Sequence, residues 1–130
     1  MPDRPVRTVA PARSNAEALR SRASAYFNLE NYKLAIKDYN QAIEQHKTDA
    51  SLYYDLGNAY FMSGAFSNAI DQYSEAIKLD TATSDFYFNR ALSYFYLEIY
   101  TEGCSDLQKA AKLGDDEAKG YHEEFCKEVY

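Results

Sequence analysis

The sequence predicts an all-α protein, three helical hairpins stacked in a row and closed by a seventh helix. Three observations predict it. From Ser14 to Tyr130 no proline interrupts the chain. Apolar residues there recur at three and four, as at Leu52, Leu56, Ala59 and Tyr60, which is the period of one helix face. Sliding the chain against itself by 34 residues aligns aromatic with aromatic and small with small, the mark of a repeat architecture.

The elements follow in order. Met1 to Arg13 holds all three prolines, Pro2, Pro5 and Pro11, with Arg4, Arg7 and Arg13 against Asp3. Proline cannot propagate a helix, so a flexible leader is expected over 1–13. Breaks at Glu30-Asn31, His46 to Asp49, Ser63-Gly64, Asp80 to Ser84, Glu98 and Gly114 to Asp116 divide the remainder, because turn formers and caps gather there. They bound helices at about residues 15–29, 32–46, 50–63, 66–79, 84–97, 100–113 and 116–128. The repeats are expected at 14–47, 48–81 and 82–115, with a capping helix in 116–130.

The register explains why the hairpins should pack. Tyr26, Tyr60 and Tyr94 coincide, as do Tyr32, Phe66 and Tyr100, then Ala35, Ala69 and Gly103, then Ala42, Ala76 and Ala110. Two antiparallel helices approach closely only where one lacks bulk. Ala23, Gly57 and Ala91 supply that on one helix of each pair, and Ala35, Ala69 and Gly103 on the other. A side chain at Gly57 is expected to force apart helices that touch at Ala69 and Tyr60. Each pair leaves an apolar flank for the next to cover, so both ends of the stack need a cap.

With these residues in place, the chain resembles the tetratricopeptide-repeat (TPR) family over Ser14 to Asp115. The second copy carries the signature best, in Tyr53, Leu56-Gly57, Tyr60, Ala69, Tyr73 and Ala76. The first departs at Leu19 and Arg22, the third at Arg90, Gly103 and Leu107. Where the family usually has proline, Lys47, Thr81 and Asp115 stand. The resemblance implies a right-handed α-solenoid acting as a protein-interaction scaffold.

Composition narrows the function. The chain has 130 residues and a net charge of −6, and setting the leader aside leaves 11 basic and 19 acidic residues, a net of −8. That sign argues against nucleic acid and anionic membranes as partners. No apolar run approaches the ~18 residues of a membrane span, so a cytoplasmic location is expected. Cys104 and Cys126 read first as two packed free thiols on adjacent helices, in a reducing compartment. A disulfide between them, or a His122/Cys126/Cys104 metal cluster, is the alternative.

No catalytic residue, metal or cofactor is expected. His46 and His122 lack a nucleophile framed by a base and an orienting partner. Asp115-Asp116-Glu117 fits the first turn of the last helix, where the macrodipole favours carboxylates. The informative feature is the first helix of each pair, which lines the concave side of a hairpin stack. Beyond its packing stripe it carries Tyr54, Asn58 and Phe61 in the second repeat and Phe88, Asn89, Leu92 and Phe95 in the third. These seven residues are the expected partner-binding set: rings for apolar anchors, amides for an extended backbone. Glu17, Asp55 and Asp85 opposed by Arg20 predict a neutral-to-basic protein or peptide ligand. The alternative is that these rings are covered by the last helix or by a second copy, in a monomer or weak homo-oligomer.

The resemblance supplies a further test. Some family members grip the acidic C-terminus of heat-shock chaperones with Lys, Asn, Asn, Lys and Arg. Residue by residue, those places hold Arg20, Ser24, Asp55, Asp85 and Asn89. Two carboxylates there repel a terminal carboxylate, which argues against a chaperone-tail ligand.

Overall fold

The periodicity yields seven helices across residues 15–127, the part of the chain that the computed structural model describes. They are α1 (Asn15–Asn28), α2 (Tyr32–Gln45), α3 (Ala50–Met62), α4 (Phe66–Leu79), α5 (Ser84–Tyr96), α6 (Tyr100–Lys112) and α7 (Asp116–Phe125). The largest departure from expectation is the early end of α7. The expected leader lies outside the described residues. No strand occurs among the described residues.

Local chemistry sets the turns. Within each hairpin the first helix closes with the same wrapped carbonyl: Asn31 N–H donates to Tyr26 O, Ala65 N–H to Tyr60 O and Ile99 N–H to Tyr94 O, at 2.8–2.9 Å. The residue before each donor turns left-handed, Glu30 at φ 62°, Gly64 at 85° and Glu98 at 60°. Only Gly64 does so without a side-chain penalty. Between hairpins, where proline is missing, tyrosines of the next repeat hold the turn. Tyr53 OH donates to Lys47 O and Tyr87 OH to Thr81 O, both at 3.0 Å. Asp49 accepts from Ser51 N–H, and Asp80 from Ala82 N–H and the Thr83 hydroxyl.

Each helix packs against its neighbours in sequence, so the hairpins form a linear stack, with α3 also touching α5. The small residues lie at the contacts, and Ala23, Ala35, Ala69 and Ala91 are fully buried. At Gly57 the neighbour is not the expected one. A Cβ there would meet the Tyr73 ring at 2.6 Å, so it is the aromatic ring of α4 that needs the gap.

Two departures from the repeat signature turn out to be compensated. Arg22 donates two hydrogen bonds to Asp38, at 2.7 and 2.9 Å, and Arg90 donates two to Asp106, at 2.7 and 2.8 Å. In the second repeat the equivalent places hold Leu56 and Gln72. An arginine in the packing stripe is thus accompanied both times by an aspartate sixteen residues on.

The first reading of the cysteines is overturned. Cys104 in α6 and Cys126 just after α7 form a disulfide with Cα atoms 5.8 Å apart, and both are buried. α7 folds back on α6, bringing within bonding reach residues that are 22 apart in sequence. Bonding the two sulfurs to each other also removes them as thiolate ligands for the His122/Cys126/Cys104 cluster.

Candidate interaction site

The fold distributes the seven expected binding residues among four settings. Tyr54, Asn58 and Asn89 belong to a polar network between α3, α4 and α5. Tyr73 OH donates to Asn58 Oδ1 at 2.6 Å. Asn89 Nδ2 donates to Tyr54 OH at 2.9 Å and to Asn58 Oδ1 at 3.2 Å. The Tyr54 ring packs on Tyr73 and Phe86, with centroids 5.8 and 5.1 Å away. Burial pushes the Tyr54 and Tyr73 hydroxyls above the ordinary phenol range, so both stay protonated. The amides therefore spend hydrogen-bonding capacity on locking repeat to repeat.

Phe61 lies at the edge of the stack where helices turn within hairpins. It meets Phe66 and Tyr96 edge to face, with centroids 5.2 and 5.5 Å away, and Phe66 and Tyr96 stack at 4.5 Å. Phe88 is stacked under Tyr121 of α7 at 5.8 Å, which realises for this ring the alternative that the last helix covers it.

Leu92 and Phe95 face an apolar pocket of about 390 Å³ between α5, α6 and α7. Tyr100 and Leu107 of α6 and Tyr121 and Phe125 of α7 complete its lining. α3 and α5, the corresponding helices of the preceding repeats, run for 13 residues, whereas α7 has 10. Phe125 is 59% exposed at the rim. Gly103 contributes too, since a Cβ there would stand 3.1 Å from the Phe95 ring. Sequence reasoning missed Tyr100, Leu107, Tyr121 and Phe125. Tyr121 could have been found, because it falls 34 residues after Tyr87.

The charged residues sit further along the stack. Arg20 donates to Asp55 at 2.9 Å and to Asp49 at 3.4 Å, so two carboxylates share the one arginine of the set. Burial holds the Asp55 carboxyl above the usual carboxylate range, with Arg20 opposing. Asp85 is exposed and its charge is felt at Tyr54.

The family model for the TPR repeat matches residues 23–64 and 57–97, together more than half of the chain. Among solved structures, the first TPR of Spaghetti (RPAP3) bound to the HSP90 peptide SRMEEVD is 21% identical, with a TM-score of 0.81 over 88% of this chain and 93% of that one. The TPR domain of Arabidopsis OM64 is 21% identical, with a TM-score of 0.80 over 87% and 95%. The second TPR domain of human RPAP3, in complex with the HSP70 peptide SGPTIEEVD, is 22% identical, with a TM-score of 0.80 over 88% and 97%. No curated protein matches the chain in sequence.

Proposed function

The chain belongs to the tetratricopeptide-repeat family, and on that premise we propose that it is a non-enzymatic protein-interaction module whose anchor point is the pocket between α5, α6 and α7. The observation that carries this reading is the pocket itself, open at the rim and lined by six apolar or aromatic side chains. An apolar side chain of a partner, seated there, loses its contact with water at about 25 cal/mol per Å². Of the seven residues expected from the sequence, Leu92 and Phe95 are the anchor wall, while Tyr54, Asn58 and Asn89 frame the adjoining surface.

The ligand is a protein or peptide segment with an aliphatic or aromatic anchor and neutral-to-basic charge. Solved TPR domains with acidic chaperone peptides are similar in fold, but the charges here favour the opposite selection. Arg20 is engaged by Asp49 and Asp55, and Asp85 adds a further carboxylate. Among the described residues, no helix is long and apolar enough to cross a membrane. A cytoplasmic site of action belongs to the same proposal, and in that compartment a disulfide such as Cys104–Cys126 is transient and redox-sensing.

A peptide array carrying apolar-anchored sequences of graded charge tests the reading, with SRMEEVD as the acidic reference. Basic anchored peptides are expected to bind the wild type and to be lost in Leu92→Ala with Phe95→Ala, while SRMEEVD does not bind. Tight binding of SRMEEVD overturns the charge reading. Self-association is the second reading, favoured by Met62, Tyr96 and Tyr100, all more than half exposed. Light scattering at rising concentration separates the two, because a dimer using that edge grows with concentration.

A further inference from the structure

We propose that the Cys104–Cys126 disulfide is a redox clamp on α7, so that a dithiol reductant opens one wall of the pocket and releases whatever is anchored there. The inference rests on the pocket reading above and adds its regulation. α7 supplies two of the six lining residues, Tyr121 and Phe125, so the pocket has its full depth only while α7 is docked.

Its far end is held by the disulfide together with Tyr121, stacked on Phe88 at 5.8 Å, and half-buried His122. At the near end the chain turns through Gly114, at φ 101°, and Asp115 Oδ1 accepts from Ala118 N–H at 3.0 Å. Along the helix, Ala118 alone is buried. Ten residues are too few for a helix to persist in water without tertiary support. Glu123 and Glu124 fall in its last turn, where the macrodipole disfavours negative charge. The end of α7 is thus unfavourable by its own composition and is tied to α6 by a covalent bond between two buried sulfurs.

The chemistry balances with a dithiol as the reductant. Its thiolate attacks one sulfur of the disulfide, forming a mixed disulfide and releasing the other cysteine as a thiol. The second thiol of the reductant then attacks the mixed disulfide, freeing the remaining cysteine and closing the reductant into a cyclic disulfide. Two electrons and two protons pass to the protein. Cys126 caps the helix and is 1% exposed, so the reductant reaches it only when the end of α7, beside exposed Lys127, opens locally.

Hydrogen exchange and binding of the neutral apolar dye Nile red, measured on oxidised protein and on protein reduced with dithiothreitol, test the clamp. Exchange of the α7 amides is expected to rise roughly 30-fold or more on reduction, as loss of a disulfide of ordinary strength allows, while α1 to α4 keep their protection. Dye affinity is expected to fall about 5- to 150-fold, the usual span of coupling between two sites. Phe125→Ala should weaken the dye in oxidised protein without freeing α7. Unchanged protection of α7 on reduction overturns the clamp, and so does release of α7 with unchanged dye binding. Oxidised protein that does not take up the dye sinks the pocket reading instead, and exchange of α7 then decides the clamp by itself.

Discussion

Arg90 holds Asp106 across the α5–α6 hairpin with both carboxylate oxygens engaged, and its remaining nitrogen donates to Ser74 of the preceding repeat at 3.0 Å. The pair stands where the second repeat has Leu56 and Gln72, and it recurs as Arg22 and Asp38. The two copies differ in exposure, the Arg90 side chain being 20% exposed and that of Arg22 59%.

That difference predicts unequal losses. Asp106→Ala strands a part-buried guanidinium and is expected to cost about 3–5 kcal/mol. Asp38→Ala leaves Arg22 free to turn into water, so its loss is smaller. Arg90→Leu with Asp106→Gln, which copies the second repeat, is expected to recover most of the stability. Urea melts of the three variants check the order, and equal losses at Asp38 and Asp106 would contradict it.

Gly57 and Gly103, both inside helices, should respond in opposite directions. Gly57→Ala puts a methyl within 2.6 Å of the fully buried Tyr73 ring and is expected to destabilise by about 1–3 kcal/mol. Gly103→Ala meets Phe95 at 3.1 Å, a ring beside the pocket with space to move. There the helix-propensity gain of up to about 1 kcal/mol is expected to leave melting unchanged or raised.

Glu30 and Glu98 adopt the left-handed conformation that Gly64 supplies in the second repeat. A non-glycine residue there costs roughly 1–2 kcal/mol, partly offset by the chain entropy of glycine. Glu98→Gly is therefore expected to raise the melting temperature, and Gly64→Glu to lower it. Thermal denaturation followed by circular dichroism reads both.

Asp55 gives the pH dependence. Burial raises its folded pKa, so the folded state favours the protonated carboxyl, and this contribution to stability, present below the unfolded pKa, is lost as pH rises through the folded one. Asp55→Asn is expected to keep or raise stability at pH 7. As pH falls through the raised pKa the surface loses a negative charge, so affinity for basic peptides declines. Titrating peptide binding from pH 7 to pH 4 checks this, and a decline absent from Asp55→Asn identifies the group.

The helices and the 34-residue stacking were legible because proline is absent from Ser14 onward and small residues mark each close contact. The ion pairs were written there too, as an arginine and an aspartate sixteen apart in two repeats, but each looked like a separate departure from the signature. The site was harder to read. Phe61, Phe88 and Phe95 are the same residue on equivalent helices, and what separates them is the neighbour each meets: Phe66 with Tyr96, Tyr121, and the pocket beside Tyr100. Two walls of that pocket, Tyr121 and Phe125, come from α7, and the apolar period alone could not show how that helix folds back. The disulfide depended on the same fold-back of α7.

The anchor pocket is tested most directly by following the methyl resonances of Leu92 and Leu107 while a basic, apolar-anchored peptide is titrated into isotopically labelled protein. The account predicts that these two methyls shift together and saturate, and that Leu92→Ala with Phe95→Ala removes the shift at Leu107. Shifts confined to Met62 and Leu97 at the turn edge, with Leu92 and Leu107 unmoved, would contradict it.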